Sequence, residues 1–172
     1  MTVLTDLILS ALAVYFAIRL GRQHELWHMN VHLYFSYASW VTGLGALLGA
    51  LTHGLGRHQS VAVGRLLWRA TLLSLGAGAF FLLLGTGYHA FSVQHVHILG
   101  WPGVLLLALY AIIILRDDRF LWAVLFYTAA MLVVLTVMLY DLFFRGLAGS
   151  GLVIAGILVS FAAAIVQRSG LT

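Results

Sequence analysis

No cysteine occurs in this chain of 172 residues, which excludes disulfides, thiolate metal sites, iron–sulfur clusters and a cysteine nucleophile. Lysine is missing too: all nine basic residues are arginine, so no Schiff base to retinal or pyridoxal can form. Charged residues make up 8% of the chain, against roughly a quarter in a soluble domain. With 63% hydrophobic residues, it cannot cover a water-facing surface and reads as an integral membrane protein. The net charge of +4 comes from arginines spread over helix ends, which is a topology signal; no nucleic-acid partner is expected. No basic residue lies in Met1–Asp6 and no small-residue cleavage site precedes Arg19, so the first apolar run is read as a span and not as a secretory signal.

What is present is apolar runs. A bilayer core of roughly 30 Å needs about 20 apolar helical residues. Six segments qualify, at 3–20, 33–55, 66–89, 100–115, 120–140 and 147–166, separated by short breaks that carry most of the charge. The fold expected is all-α: one domain over 1–172, an integral membrane bundle of six transmembrane helices with sequence neighbours packed up and down. The single proline, Pro102, is expected in the first turn of the fourth span, where its missing N–H costs nothing. Gly45 and Gly49, Gly76 and Gly78, and Gly146, Gly151 and Gly156 recur at spacings that let helix backbones approach closely. Alternating sides puts Arg57, Arg65, Arg69, Arg116, Arg119 and Arg168 on one face and Arg19, Arg22 and Arg145 on the other. The richer face predicts cytoplasmic termini.

That orientation sorts the histidines. His24, His28, His32, His89, His95 and His97 fall on the non-cytoplasmic side with Glu25 and Asp141, and His53 and His58 on the other. His24-Glu25-Leu26-Trp27-His28 spells His-Glu-x-x-His, in which two histidines on one helical face bind zinc and the glutamate is general base. A continuous helix would bring His32 within about 80° of the same face, as a third ligand. Gln94-His95-Val96-His97 offers a local His-x-His chelate for zinc or copper. His32 and His89 are expected at similar depth, an arrangement that suits haem or chlorophyll. Amphipathic imidazoles also settle at membrane interfaces without any ligand, and Trp27, Trp40, Trp68, Trp101 and Trp122 read as interfacial anchors. Asp141 and Arg145 read as a rim salt bridge, and Asp117 and Asp118 between Arg116 and Arg119 as a solvated turn.

Thr5-Asp6-Leu7, with Trp40 followed by Leu44-Gly45-Ala46-Leu47-Leu48-Gly49-Ala50-Leu51-Thr52-His53-Gly54, resembles a family of bacterial seven-helix membrane proteins. That family is in turn similar to the superfamily of alkaline ceramidases and progestin/adiponectin receptors. The resemblance covers the first third of the chain. It implies the bacterial inner membrane, an intramembrane zinc with His53 as the second-helix ligand, and hydrolysis of lipid amides.

Three functional readings fit these residues. One is a histidine-rich metal-binding membrane protein, in the sharpest form a zinc hydrolase with Glu25 as base. The second is a non-catalytic subunit of a larger membrane complex that holds a metal or a tetrapyrrole. The third is a small proton or metal-ion transporter. Membrane lipid and other membrane subunits are the expected partners.

Overall fold

In the computed structural model, residues 2–56 and 58–168 are described, so Arg57 and Thr172 lie outside the described residues. The described chain is six helices: α1 (Thr2–Trp27), α2 (Asn30–Leu55), α3 (Val61–Ala90), α4 (Val93–Arg116), α5 (Phe120–Phe144) and α6 (Ala148–Arg168). Among the described residues, Val3–Trp27, Val61–Ala90, Val93–Arg116 and Phe120–Phe144 are long and apolar enough to cross a membrane, and α6 is apolar over Ala148–Ala162. The chain divides into two compact units, Met1–Ala130 and Met131–Thr172.

The helices run past the apolar segments that define them in the sequence. Residues 21–27 extend α1, and Val93–Leu99 extend α4 backwards to its N-cap at Ser92. Outside hydrocarbon, polar residues hold a helix as readily as apolar ones, so a helix need not stop where hydrophobicity does. One consequence corrects the expectation for Pro102. It lies inside α4, not in its first turn, so the Ile98 carbonyl loses its usual i+4 donor.

Unit 1 packs α1 on α2, α2 on α3 and α3 on α4. Small residues set the spacing. A Cβ at Gly45 would stand 3.1 Å from the Ser74 Cβ, so α2 and α3 approach more closely than an alanine would comfortably permit. At Gly76 the ring of Tyr110 from α4 fills the space a side chain would need, and the Tyr110 hydroxyl donates to the Leu72 carbonyl at 2.7 Å. Tyr110, Leu72, Ile114 and Ala123 form a buried cluster, flanked by Trp68, Leu107, Trp122 and Phe126.

Several hydroxyl side chains inside this apolar setting are satisfied by nearby carbonyls. Thr71 and Thr86 donate back to Leu67 and Leu82, and Ser36 donates across to the Ala17 carbonyl of α1 at 2.8 Å. Ser10 of α1 donates to Gly43 of α2 at 2.9 Å. Interhelical bonds of this kind contribute about 0.6 kcal/mol each in a membrane.

In unit 2, Val134, Met138 and Ile157 form the buried cluster, with Leu135, Ile154 and Phe161 against it. Gly146, at φ +65, ends α5: the Leu147 N–H reaches back to the Asp141 carbonyl at 3.2 Å and the Arg145 N–H to the same oxygen at 3.1 Å.

Candidate functional site

The antiparallel run of α1 to α4 gives unit 1 two ends. The α1–α2 and α3–α4 turns share one, with His24, His28, His32, His89, His95 and His97; the α2–α3 and α4–α5 turns share the other, with His53.

The His-Glu-x-x-His stretch straddles a helix end. α1 stops at Trp27, and His28 adopts φ +51, the left-handed conformation that usually marks the residue after a helix. Its N–H donates to the His24 carbonyl at 2.7 Å, while the His24 ring donates through Nδ1 to the Met29 carbonyl at 3.0 Å. The motif thus closes the α1–α2 turn. His24 and His28 stand with ring centroids 6.5 Å apart and planes at 89°, and His32 belongs to the next helix. The single face expected for the three histidines requires a continuous helix, and the break at His28 and Met29 removes it. Glu25 sits in the last turns of α1, exposed and with no neighbouring metal-ligating trio.

His95 and His97 do not form the local chelate either. Both lie in α4, where residues two apart point roughly 200° apart around the axis. His95 shares a hydrogen bond with Ser92 at 2.6 Å. Val96 between them is buried against α3, its Cγ2 lying 3.5 Å from where a Gly87 Cβ would be. His53, at the opposite end of unit 1, is exposed, with its ring 6.4 Å from that of Trp68. Among the described residues, no three His, Asp or Glu side chains converge as a metal centre would require. A zinc or copper centre with three such ligands therefore has no matching donor set there.

One concavity is built by side chains from three helices. A groove of about 430 Å³ is lined by Tyr34 of α2, Phe80, Leu84 and Tyr88 of α3, and Val96, His97, Gly100, Trp101 and Val104 of α4. This volume falls within the roughly 300–1,000 Å³ of small-molecule sites. Tyr34 and Tyr88 stack at 5.0 Å with planes 7° apart, and Phe81 also stacks on Tyr34, at 6.4 Å. The hydrogen-bonding groups gather toward the α3–α4 turn in Tyr34, Tyr88 and His97, while Phe80 and Val104 line the part nearer mid-helix. Glycine at 100 keeps one wall low: a Cβ there would first meet Leu84 Cδ2, at 3.9 Å.

Of these lining residues only His97 and Trp101 carry a signal in the sequence, as a histidine and an interfacial tryptophan. A tyrosine near the start of the second span and another near the end of the third were the missing clue. Their pairing depends on helix register.

The most densely bonded polar site lies at the other end. Trp68 Nε1 donates to the Asp118 carbonyl at 2.9 Å and Arg69 Nε lies 3.3 Å from the Asp118 carboxylate. Trp122 Nε1 and Arg119 Nε both donate to the Asp117 carboxylate at 2.8 Å, and the Arg119 guanidinium also stands over the Trp122 ring. The Arg119 and Trp122 donors hold the Asp117 carboxyl down at about 2, and Asp117 in turn raises Arg119. The turn is solvated as expected, with Arg119 68% exposed, and its side chains also bond α3, α4 and α5 together. In unit 2, Asp141 is buried and pairs with half-exposed Arg145 at 3.2 Å, so the pair is not the exposed rim bridge its spacing suggested.

Compared with known proteins, the chain matches a family of unknown function, DUF6962, over residues 1–172. No curated protein and no solved structure matches it.

Proposed function

The chain belongs to the DUF6962 family, and from that premise we propose that it is a membrane protein whose first unit binds a neutral amphiphile in the α2–α3–α4 groove. The observation that carries this reading is the graded lining. Phenol and imidazole groups sit at the end near a turn, and apolar side chains face mid-helix, which matches a molecule with a polar head at the interface and a tail along the hydrocarbon. The arginine count supports the finer topology: six crossings with both termini cytoplasmic, in a bacterial inner membrane, with the groove's polar end on the outer side.

Zinc-dependent amide hydrolysis, which the resemblance of the first third would imply, fits less well. His53 lies at the end of unit 1 away from Glu25 and the other candidate ligands, and the His-Glu-x-x-His helix is interrupted at its second histidine.

The test is extraction of the detergent-purified protein and mass spectrometry of what leaves with it. A neutral amphiphile near one per chain is expected, lost in Gly100→Leu, whose side chain fills the groove from a position with room for its Cβ. An unchanged lipid profile in that variant would overturn the reading.

A further inference from the structure

Resting on the groove-binding reading, we propose that the ligand's head is a planar, uncharged ring bearing oxygens that can accept or donate a hydrogen bond, the chemistry of a quinone and its quinol. Three features of the lining carry this.

The first is charge. None of the nine lining residues is arginine, the chain has no lysine at all, and His97 is the one lining side chain that can carry a positive charge. Within unit 1 the described arginines are Arg19 and Arg22 on α1, and Arg65, Arg69, Arg116 and Arg119 at the far end, so none belongs to the groove. A phosphate head would find no arginine or lysine there and a single imidazole to meet its charge, which makes a phospholipid a poorer occupant than an uncharged head. No carboxylate lines the groove to pair with an ammonium head.

The second is flatness. Tyr34, Phe80, Tyr88 and Trp101 make four of the nine lining residues aromatic, and the near-parallel Tyr34–Tyr88 stack is one that a further flat ring could extend. Aromatic pairs contribute about 0.5–1.5 kcal/mol beyond the area they bury, a gain that an acyl chain or a glycerol head cannot collect.

The third is the kind of hydrogen bond on offer. Phenol hydroxyls and imidazole can each donate or accept, so the same groups serve a quinone carbonyl as donors and a quinol hydroxyl as acceptors. A fixed donor such as arginine would prefer the oxidised form, and a carboxylate the reduced one. The set here takes both.

The experiment uses the full chain in nanodiscs, with tryptophan fluorescence as the readout, titrated with a short-tailed benzoquinone, its quinol, a monoacylglycerol and phosphatidylglycerol. Saturable quenching by the quinone is expected. It should weaken roughly tenfold in His97→Ala, the equivalent of one lost hydrogen bond of about 1.4 kcal/mol. It should lose its saturable part in Gly100→Leu and much of its amplitude in Trp101→Phe, and quinol should compete with quinone. Tyr88→Phe keeps the ring and removes only the hydroxyl, so a weakened quinone with intact folding would support the hydrogen-bonding role.

If monoacylglycerol occupies the groove in a Gly100→Leu-sensitive way and the quinone does not, the ring assignment is overturned while the amphiphile reading stands. If phosphatidylglycerol competes as well as the quinone, the charge argument is wrong. If nothing binds in a Gly100→Leu-sensitive manner, both readings go together.

Discussion

The turn between α1 and α2 and the turn between α4 and α5 close opposite ends of unit 1, and both are crowded with ionisable residues. The first holds a recognisable motif, yet its side-chain bonds are local: His24 to Met29, and Trp27 to Gln23. The second has no motif, yet it joins residues 50 positions apart, Trp68 and Asp118, and draws in Arg69, Trp122 and Arg119. A titratable residue matters to the fold through the sequence distance it bridges and through the donors it satisfies. Motif spelling reports neither.

Trp68→Ala offers the most severe way to break this contrast. It removes the bond to Asp118 and the packing on Phe120 and in the Tyr110 cluster, with an expected loss of about 2–4 kcal/mol in detergent unfolding. Trp68→Phe, which keeps the ring contact, should cost about 1 kcal/mol. Should His24→Ala destabilise as much as Trp68→Ala, the two turns would have to be ranked the other way.

Titration gives a subtler measure. Because the folded Asp117 carboxyl sits at about 2, below its ordinary 3.8, its contribution is present above pH 4 and is lost as the pH falls from there through 2. Carboxyl NMR should show that low midpoint. In Arg119→Ala it should rise toward 3.8, because the first of the two donors is gone. An unmoved midpoint would mean that Trp122 alone sets it.

The smallest expected effect has the opposite sign. His28 holds a left-handed conformation that glycine adopts without strain, so His28→Gly should raise stability by up to about 1 kcal/mol. A loss of several kcal/mol would instead reveal a role for the imidazole that its local bonds do not show.

The helical class and the positions of the helices are legible in the sequence, since apolar runs of membrane length leave few alternatives. Their ends are less so. Residues 21–27 and Val93–Leu99 carry polar side chains that look like loop, and they continue helices because backbone hydrogen bonding does not depend on lipid. The stop at His28 is invisible for a related reason: glycine or asparagine would flag a left-handed residue, and histidine does not. The groove was hidden because each of its aromatics, taken alone, is an ordinary interfacial anchor. Only the register that stacks Tyr34 on Tyr88 makes them a site.

α2 has a further implication. It carries eight buried residues, most of them small or hydroxyl-bearing, and it is the helix within unit 1 that falls outside the set apolar enough to cross a membrane unaided. Its place is secured by α1 and α3 on either flank. During synthesis, then, the nascent segment should linger near the insertion machinery until a neighbour arrives to shelter it. A released, membrane-inserted chain truncated before Val61 should leave it accessible to aqueous labelling reagents, and one extended through Ala90 should not.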